Sequence, residues 1–274
     1  MSASPAVVPA IEITDLNVRA GKTPLLVGIS IAIEQGEWVT IIGPNGAGKS
    51  TLLRAMAGLT HRSSGLKQSA EAVTVCGDSL DSLSNKALAR RVAWVPQTPV
   101  IPEGITIADY VLLGRTPHLA LLATERKADL ELAGEILADL DLEHLAGRKV
   151  ETLSGGERQR AVVGRALAQE ADIILLDEPT SALDLGHQQE LLVLLERLRQ
   201  EQGRTVVSTM HDLTLAGQSA DRLVLVADGE IVADGTASDV LTAEHLERIY
   251  GASISIVEHD GAIVVIPSPL DVRK

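Results

Sequence analysis

The chain has 274 residues, 45% of them apolar, and a formal net charge of −13. That length fits one large domain or a domain with a subdomain, and the apolar fraction supplies a core without disulfides or metal. The acidity argues against nucleic acid as a partner, the single cysteine, Cys76, excludes a disulfide framework and suits a reducing cytosol, and no apolar run approaches the roughly 20 residues of a membrane-spanning helix.

Residues 1–10 lack the basic start and long apolar run of a signal peptide. Residues 11–18 and 28–33 alternate apolar and polar, as half-buried antiparallel strands do. Gln35-Gly36-Glu37 turns the chain into a short apolar strand over 38–42, and a helix is expected over 50–59. Strands follow at 73–75 and 91–95, with a helix over 84–90 between them. From 98 to 150 the pattern is helical only, over 107–114, 124–140 and a short piece near 142–145, as a helical insertion into a sheet core would be. Alternation then resumes: helix 158–169, strand 173–177, helix 186–200, strand 205–209, helix 213–219, strand 223–227. Strands alternating with helices predict a mostly parallel sheet covered on both faces. Asp228-Gly229 signals a hairpin into 230–233, and two short alternating strands are expected beyond Gly251. No internal repeat interrupts this order. The expected organisation is one domain over 1–274: a core from 10–97 and 151–250 that includes an antiparallel β part, a helical subdomain over 98–150 and a β tail over 251–274.

Two glycine-rich turns each open a helix. The first, Gly43-Pro44-Asn45-Gly46-Ala47-Gly48-Lys49-Ser50-Thr51, contains G-x-x-x-x-G-K-[ST] between an expected strand and an expected helix. Its glycines let backbone N–H groups converge on phosphates at the positive end of the helix dipole. Lys49 is placed to reach the β- and γ-phosphates, and Ser50 to offer its hydroxyl to Mg²⁺. Four apolar residues precede Asp177-Glu178, so a strand buried on both faces delivers two carboxylates at its C-terminal end, where parallel sheets bind ligands. There Asp177 would hold the Mg²⁺ shell and Glu178 would polarise the attacking water. The second turn, Leu153-Ser154-Gly155-Gly156-Glu157, is by itself a capping box, Ser-x-x-Glu. Two glycines in a first helical turn cost about 1 kcal/mol each relative to Ala, and they make sense where backbone must approach a γ-phosphate closely. Both readings can hold together.

The glycine loop, Leu153-Ser154-Gly155-Gly156-Glu157, the acidic strand and an isolated His211 stand in the order typical of ATP-binding-cassette (ABC) ATPases, and the chain resembles that family over nearly its whole length. The resemblance implies an α/β P-loop NTPase fold: a RecA-like, mostly parallel sheet core, an N-terminal antiparallel β subdomain and an inserted α-helical subdomain. It implies that Gln97, in Val95-Pro96-Gln97, senses Mg²⁺ and the attacking water. Asp184, in Ser181-Ala182-Leu183-Asp184, would touch the partner subunit, and His211 would be the γ-phosphate switch beside the catalytic Glu178. The other six histidines are scattered without metal-ligand spacing. Two subunits dimerise head to tail in this family, with each ATP between the phosphate loop of one and the Ser154-Gly155-Gly156 turn of the other. Hydrolysis loosens that interface, and the helical insertion passes the movement to a separate membrane permease. This puts the protein at the cytoplasmic face of the membrane, with an extracytoplasmic solute-binding protein as an indirect partner and no nucleic acid. One departure concerns the base. The family usually sets an aromatic residue against adenine just before a turn glycine, and Asn17-Val18-Arg19-Ala20-Gly21 has none. The Arg19 guanidinium is the expected substitute, with apolar contact from Val18 the alternative.

Asp109-Tyr110-Val111-Leu112-Leu113-Gly114-Arg115-Thr116-Pro117-His118 resembles the helical-domain entry of importers for iron-siderophores, haem and cobalamin, as do Leu183-Asp184-Leu185-Gly186-His187-Gln188 and the ending near Tyr250-Gly251. The structural alternative is that Tyr110, Val111, Leu113 and Gly114 simply pack a helix end. The expected function is the ATPase subunit of such an importer. The alternatives are the ATPase of another metal or small-solute transporter, an exporter with separate membrane subunits, or a non-transport ABC ATPase of the iron–sulfur assembly type. Residues 65–71 form a segment longer than usual, with no functional account.

Overall fold

A left-handed glycine, Gly21 at φ 58°, turns strand β1 (Ile11–Ala20) into β2 (Thr23–Ile33). The structure, a computed structural model, describes residues 8–60, 65–120 and 124–268. Along β1 the buried side chains are Ile11 and Ile13, then Leu16 and Val18. The switch from odd to even positions falls at Asp15, whose φ of 48° inserts one residue into the alternation in the manner of a bulge.

The chain continues through β3 (Trp38–Ile42), α1 (Lys49–Met56), β4 (Leu66–Ser69), β5 (Ala72–Val75), β6 (Asp78–Ser79), α2 (Asn85–Arg91) and β7 (Val92–Val95). Helices α3 (Ile107–Leu112), α4 (Lys127–Asp139) and α5 (Gly155–Leu167) follow, with 3-10 turns at Leu113–His118, Glu143–Leu145 and Val150–Thr152. Then come β8 (Ile173–Asp177), α6 (Leu185–Gln202), β9 (Thr205–Thr209), α7 (Leu213–Ser219), β10 (Arg222–Ala227) and β11 (Glu230–Gly235). Two short helices, α8 (Ala237–Val240) and α9 (Ala243–Tyr250), precede a terminal hairpin of β12 (Ile254–His259) and β13 (Ala262–Pro267).

These elements fall into two compact units, and the division passes through β9 between Val206 and Val207. The first comprises Met1–Ile11, Glu34–Gly36 and Thr74–Val206. Its strands run β7-β8-β9, with β7 and β8 parallel from Val92 opposite Ile173 to Val95 opposite Leu176. All five residues of β8 are buried, as a parallel strand covered on both faces requires. Helices α3, α4 and α5 pack on one another in this unit. Gly164 admits that packing, since a Cβ there would meet Val111 and Leu140 at 3.2 and 3.1 Å.

The second unit comprises Glu12–Ile33, Glu37–Val73 and Val207–Lys274. Its strands run β9-β3-β10-β11, with β10 parallel to β3 and antiparallel to β11 across the Asp228-Gly229 turn. Both turn residues have positive φ, 50° and 81°, as a type I′ hairpin needs. Strand β3 is buried throughout. The indole of Trp38 donates to the Ser208 hydroxyl at 3.2 Å, and Ser208 shares a 2.8 Å hydrogen bond with Thr40, so the buried polar atoms satisfy one another. The terminal hairpin packs on α7, with the Val265 N–H donating to the Thr214 hydroxyl at 3.1 Å.

Several expectations shift. Helix α1 ends at Met56 rather than at 59, because Gly58 at φ 67° lets Leu59 N–H close back on the Arg54 carbonyl at 2.8 Å. Helix α5 begins at Gly155 rather than at 158, because Ser154 caps it. The 107–114 helix is α3 followed by a 3-10 turn. Residues 65–71 carry β4, which pairs antiparallel with β1 from Ala20 opposite Leu66 to Asn17 opposite Ser69.

Candidate active site

In the second unit, β3 runs directly into the glycine loop. At Gly43, φ 147°, a Cβ would collide with the Val226 carbonyl; at Gly48, φ 108°, it would come within 2.8 Å of the Leu25 carbonyl. Only glycine lets this loop lie so close to the backbone around it. Ala47 N–H donates to the Pro44 carbonyl at 3.2 Å, and the Ala47 carbonyl accepts from Gly229 N–H at 3.1 Å. Asn45 and Gly46 remain exposed at the tip, while Ser50 and Thr51 sit half-buried in the first turn of α1. Lys49 is buried, and its ammonium donates to the carbonyls of Gly43 at 2.7 Å and Pro44 at 3.0 Å. The loop therefore combines helix N-terminal amides with a cation bent over them, an arrangement suited to phosphate.

The same unit holds three further residues. His211 is exposed just after β9, and Asp212 beside it caps α7 by accepting from Leu215 N–H at 3.0 Å. Arg19 is exposed, its guanidinium donating to the Lys22 carbonyl at 3.4 Å. Val18, the apolar alternative, is fully buried in β1. Tyr250, the last residue of α9, hydrogen-bonds the Gly43 backbone, while burial pushes its hydroxyl up to about 12. Sequence reasoning noted Tyr250 without giving it a place at the loop.

In the first unit, β8 ends in Asp177, which is buried, and Glu178, which is 9% exposed. Glu178 has φ 52°, a left-handed conformation that non-glycine residues adopt at a cost of order 1–3 kcal/mol and that concentrates at functional sites. The Gln97 amide donates to the Glu178 carboxylate at 2.7 Å. The turn after the strand is closed by Ser181, whose hydroxyl donates to the Glu178 carbonyl at 3.0 Å.

Ser154 caps α5 as the sequence suggests. Its hydroxyl accepts from Glu157 N–H at 3.3 Å, and the Glu157 carboxylate accepts from Ser154 N–H at 2.7 Å, which holds that carboxyl below its usual range. Gly155 and Gly156 both lack a positive φ. A Cβ at Gly155 would meet nothing within 4 Å, and one at Gly156 would make only ordinary contacts with Ala182 and Leu183 at 3.5 and 3.6 Å. That turn thus lies beside the loop carrying Asp184. Asp184 caps α6, accepting from the His187 backbone at 3.0 Å and sharing a 2.8 Å contact with its ring, and the amide bond followed by the ring depresses its carboxyl.

The structure brings Gln97 to Glu178, and the Ser154-Gly155-Gly156 turn to the Asp184 loop, in one unit. It places the phosphate loop, Arg19 and His211 in the other.

The ABC transporter family model matches residues 26–181. The ferric enterobactin transport ATP-binding protein FepC of Escherichia coli (strain K12) is 39% identical over 254 residues, covering 92% of each chain. A solved inward-facing conformation of a putative metal-chelate type ABC transporter aligns with a TM-score of 0.76 at 29% identity, over 96% of this chain and 98% of that one. A dimeric bacterial ABC transporter cassette aligns with a TM-score of 0.73 at 29% identity, over 83% and 98%.

Proposed function

This chain belongs to the ABC transporter family and is an ATP-hydrolysing subunit with the P-loop fold of that family, and on that premise we propose that it powers an importer of metal chelates, ferric siderophores first, through a separate membrane permease. The relative that transports ferric enterobactin and the metal-chelate type neighbour support that branch, and other relatives are named for hemin and cobalamin import. No helix among the described residues is long and apolar enough to cross a membrane, and in this reading the path for the solute belongs to the permease. The protein would sit at the cytoplasmic face through that contact and receive its solute from an extracytoplasmic binding protein. Residues 98–150 would form the helical subdomain that meets the permease, inserted into a core of 10–97 and 151–250, with 251–274 as the β tail.

Gly155 and Gly156 carry the dimer reading. Nothing among the described residues demands glycine at either position, yet each lowers helix propensity. Glycine there leaves amide groups at a helix N-terminus open to close approach from outside, which suits a phosphate presented by a second subunit. In the dimer Lys49 and the amides of 43–51 would bind the phosphates of one ATP, and Ser154, Gly155 and Gly156 of the partner would close over the γ-phosphate, next to Asp184. Glu178 would orient and polarise the attacking water, Gln97 would hold Glu178 in place, and His211 would contact the γ-phosphate. Arg19 would stack on the base.

The Ser50 hydroxyl, the Asp177 carboxylate and the Gln97 side-chain oxygen are oxygen donors of the kind Mg²⁺ takes, and these residues would hold the ion. Because the Gln97 NH₂ is engaged by Glu178, its carbonyl oxygen is the group left for a cation. One carboxylate with substrate phosphates and water is the usual Mg²⁺ environment, and the ion would neutralise phosphate charge during transfer.

Glu178→Gln tests the reading. It should bind ATP, hydrolyse it poorly and accumulate an ATP-dependent dimer on size-exclusion chromatography. A variant that stays monomeric with ATP saturating refutes the sandwich. Uptake of labelled ferric siderophore, haem and cobalamin by cells with and without the protein then identifies the solute.

A further inference from the structure

The Gly114-Arg115-Thr116-Pro117-His118 segment lies at the end of α5 remote from Ser154. The 13 residues of α5 put about 20 Å between the two ends. A Cβ on Gly114 would collide with the Arg165 carbonyl, so the segment rests directly on the helix backbone. Arg115 is buried and forks three ways: Nε donates to Asp129 at 2.8 Å, and Nη1 donates to the Ala168 carbonyl at 2.8 Å and to Glu170 at 2.6 Å. Ala168 is the C-terminal cap of α5, whose partial negative charge favours a cation. Asp129 accepts from Arg126 N–H at 2.9 Å and so opens α4. His118 shares a 2.8 Å hydrogen bond with the Gln169 carbonyl, and the Gln169 amide donates to the Val92 carbonyl, the first residue of β7, at 2.7 Å. Strand β7 leads to Gln97.

One joint therefore gathers the far ends of α5 and β7 and the start of α4. The near ends of α5 and β7 lead to the Ser154 turn and to Gln97. A helix held rigidly at one end transmits any tilt there to the other. We propose that Arg115 is a positioning residue for ATP hydrolysis: by fixing the C-terminal cap of α5 against α4, beside the Gln169 amide that ties the same chain end to β7, it sets how the Ser154-Gly155-Gly156 turn and Gln97 are presented. The inference rests on the proposed roles of those residues. It also gives the Gly114–His118 stretch a task beyond helix packing, because a buried guanidinium with three acceptors defines an orientation that apolar contacts leave loose.

Arg115→Lys keeps the charge but not the planar fork. We expect steady-state kcat to fall about tenfold, the size of one lost charge-assisted hydrogen bond, with KM for ATP within about twofold because Lys49 and its loop are untouched. In a Glu178→Gln background, ATP-driven dimerisation should weaken by a similar factor while binding of a fluorescent ATP analogue is unchanged. A general loss of folding would instead lower affinity, kcat and melting temperature together, and that pattern overturns the proposal, as does an unchanged kcat in a folded Arg115→Lys. Should Arg115→Lys not fold, Asp129→Asn in the same assays carries the same expectations and the same refutations. If Glu178→Gln alone fails to dimerise, the sandwich reading fails, and the kcat against KM split still decides whether Arg115 positions the catalytic groups.

Discussion

Alanine fits at Gly155 and Gly156 without a clash, and both positions have ordinary helical backbone. Replacing either should therefore stabilise α5, by up to about 1 kcal/mol each given the propensity difference between Gly and Ala. Chemical denaturation of Gly155→Ala and Gly156→Ala should show the gain, while ATP-driven dimerisation and kcat drop, since a methyl group stands where the partner's phosphate would approach. If activity survives with the added stability, the glycines serve no phosphate. Glu178 presents the opposite case: its left-handed φ of 52° marks strain inside the site. A chain optimised only for stability would keep neither feature, which suits the roles proposed for both.

Helix α4 depends on one carboxylate. Asp129 accepts from the Arg126 backbone and then from Arg115, and these bonds hold its carboxyl below the ordinary 3.8. A depressed folded value means the stabilisation is present above the unfolded pKa and is lost as pH falls through the folded one. Asp129→Asn should cost about 1.5–3 kcal/mol at pH 7, as loss of charged hydrogen bonds does. The gap to wild type in urea midpoint should narrow as pH drops from 5 to 3; a gap constant with pH would show that packing, not charge, is at stake. Elements of this kind differ in how well the sequence announces them. Strands β3, β8 and β9 and helix α7 occupy the spans their patterns mark, because continuous apolar runs between turn residues leave one reading. Strands β4 and β6 have four and two residues, are mostly polar, and exist through pairing with β1 and β5, a non-local condition that no short window contains. Helices α8 and α9 were legible but unread: Asp239 accepts from Thr236 N–H, and Thr242 accepts from His245 N–H, so both starts carry cap residues. The site motifs were plain in the chain, whereas Tyr250 against Gly43 and Arg115 against Ala168 join residues over 50 apart and needed the fold.

At the scale of the whole molecule, the phosphate loop and the Ser154-Gly155-Gly156 turn occur in different units of one chain, and the proposed dimer pairs each loop with the turn of the other copy. A two-fold pair of this kind contains two equivalent sites, each drawing Lys49 from one subunit and Ser154 from its partner. Lys49→Ala should abolish ATP binding and hydrolysis. Ser154→Arg should leave binding at Lys49 intact but block closure with a bulky cation. Each variant alone has two defective sites. In a mixed dimer, the Ser154→Arg subunit contributes an intact Lys49 and the Lys49→Ala subunit an intact Ser154, so one of the two sites is whole. Random mixing in equal amounts makes half the dimers mixed, and with independent sites the mixture should recover about one quarter of wild-type hydrolysis. A site completed within one chain predicts no recovery at any mixing ratio, because neither variant then holds all its parts. Titrating one variant against the other at fixed total protein, with ATP saturating, distinguishes the two: a shared site gives a maximum at the equimolar point, and a site closed within each chain gives a flat line at the background rate.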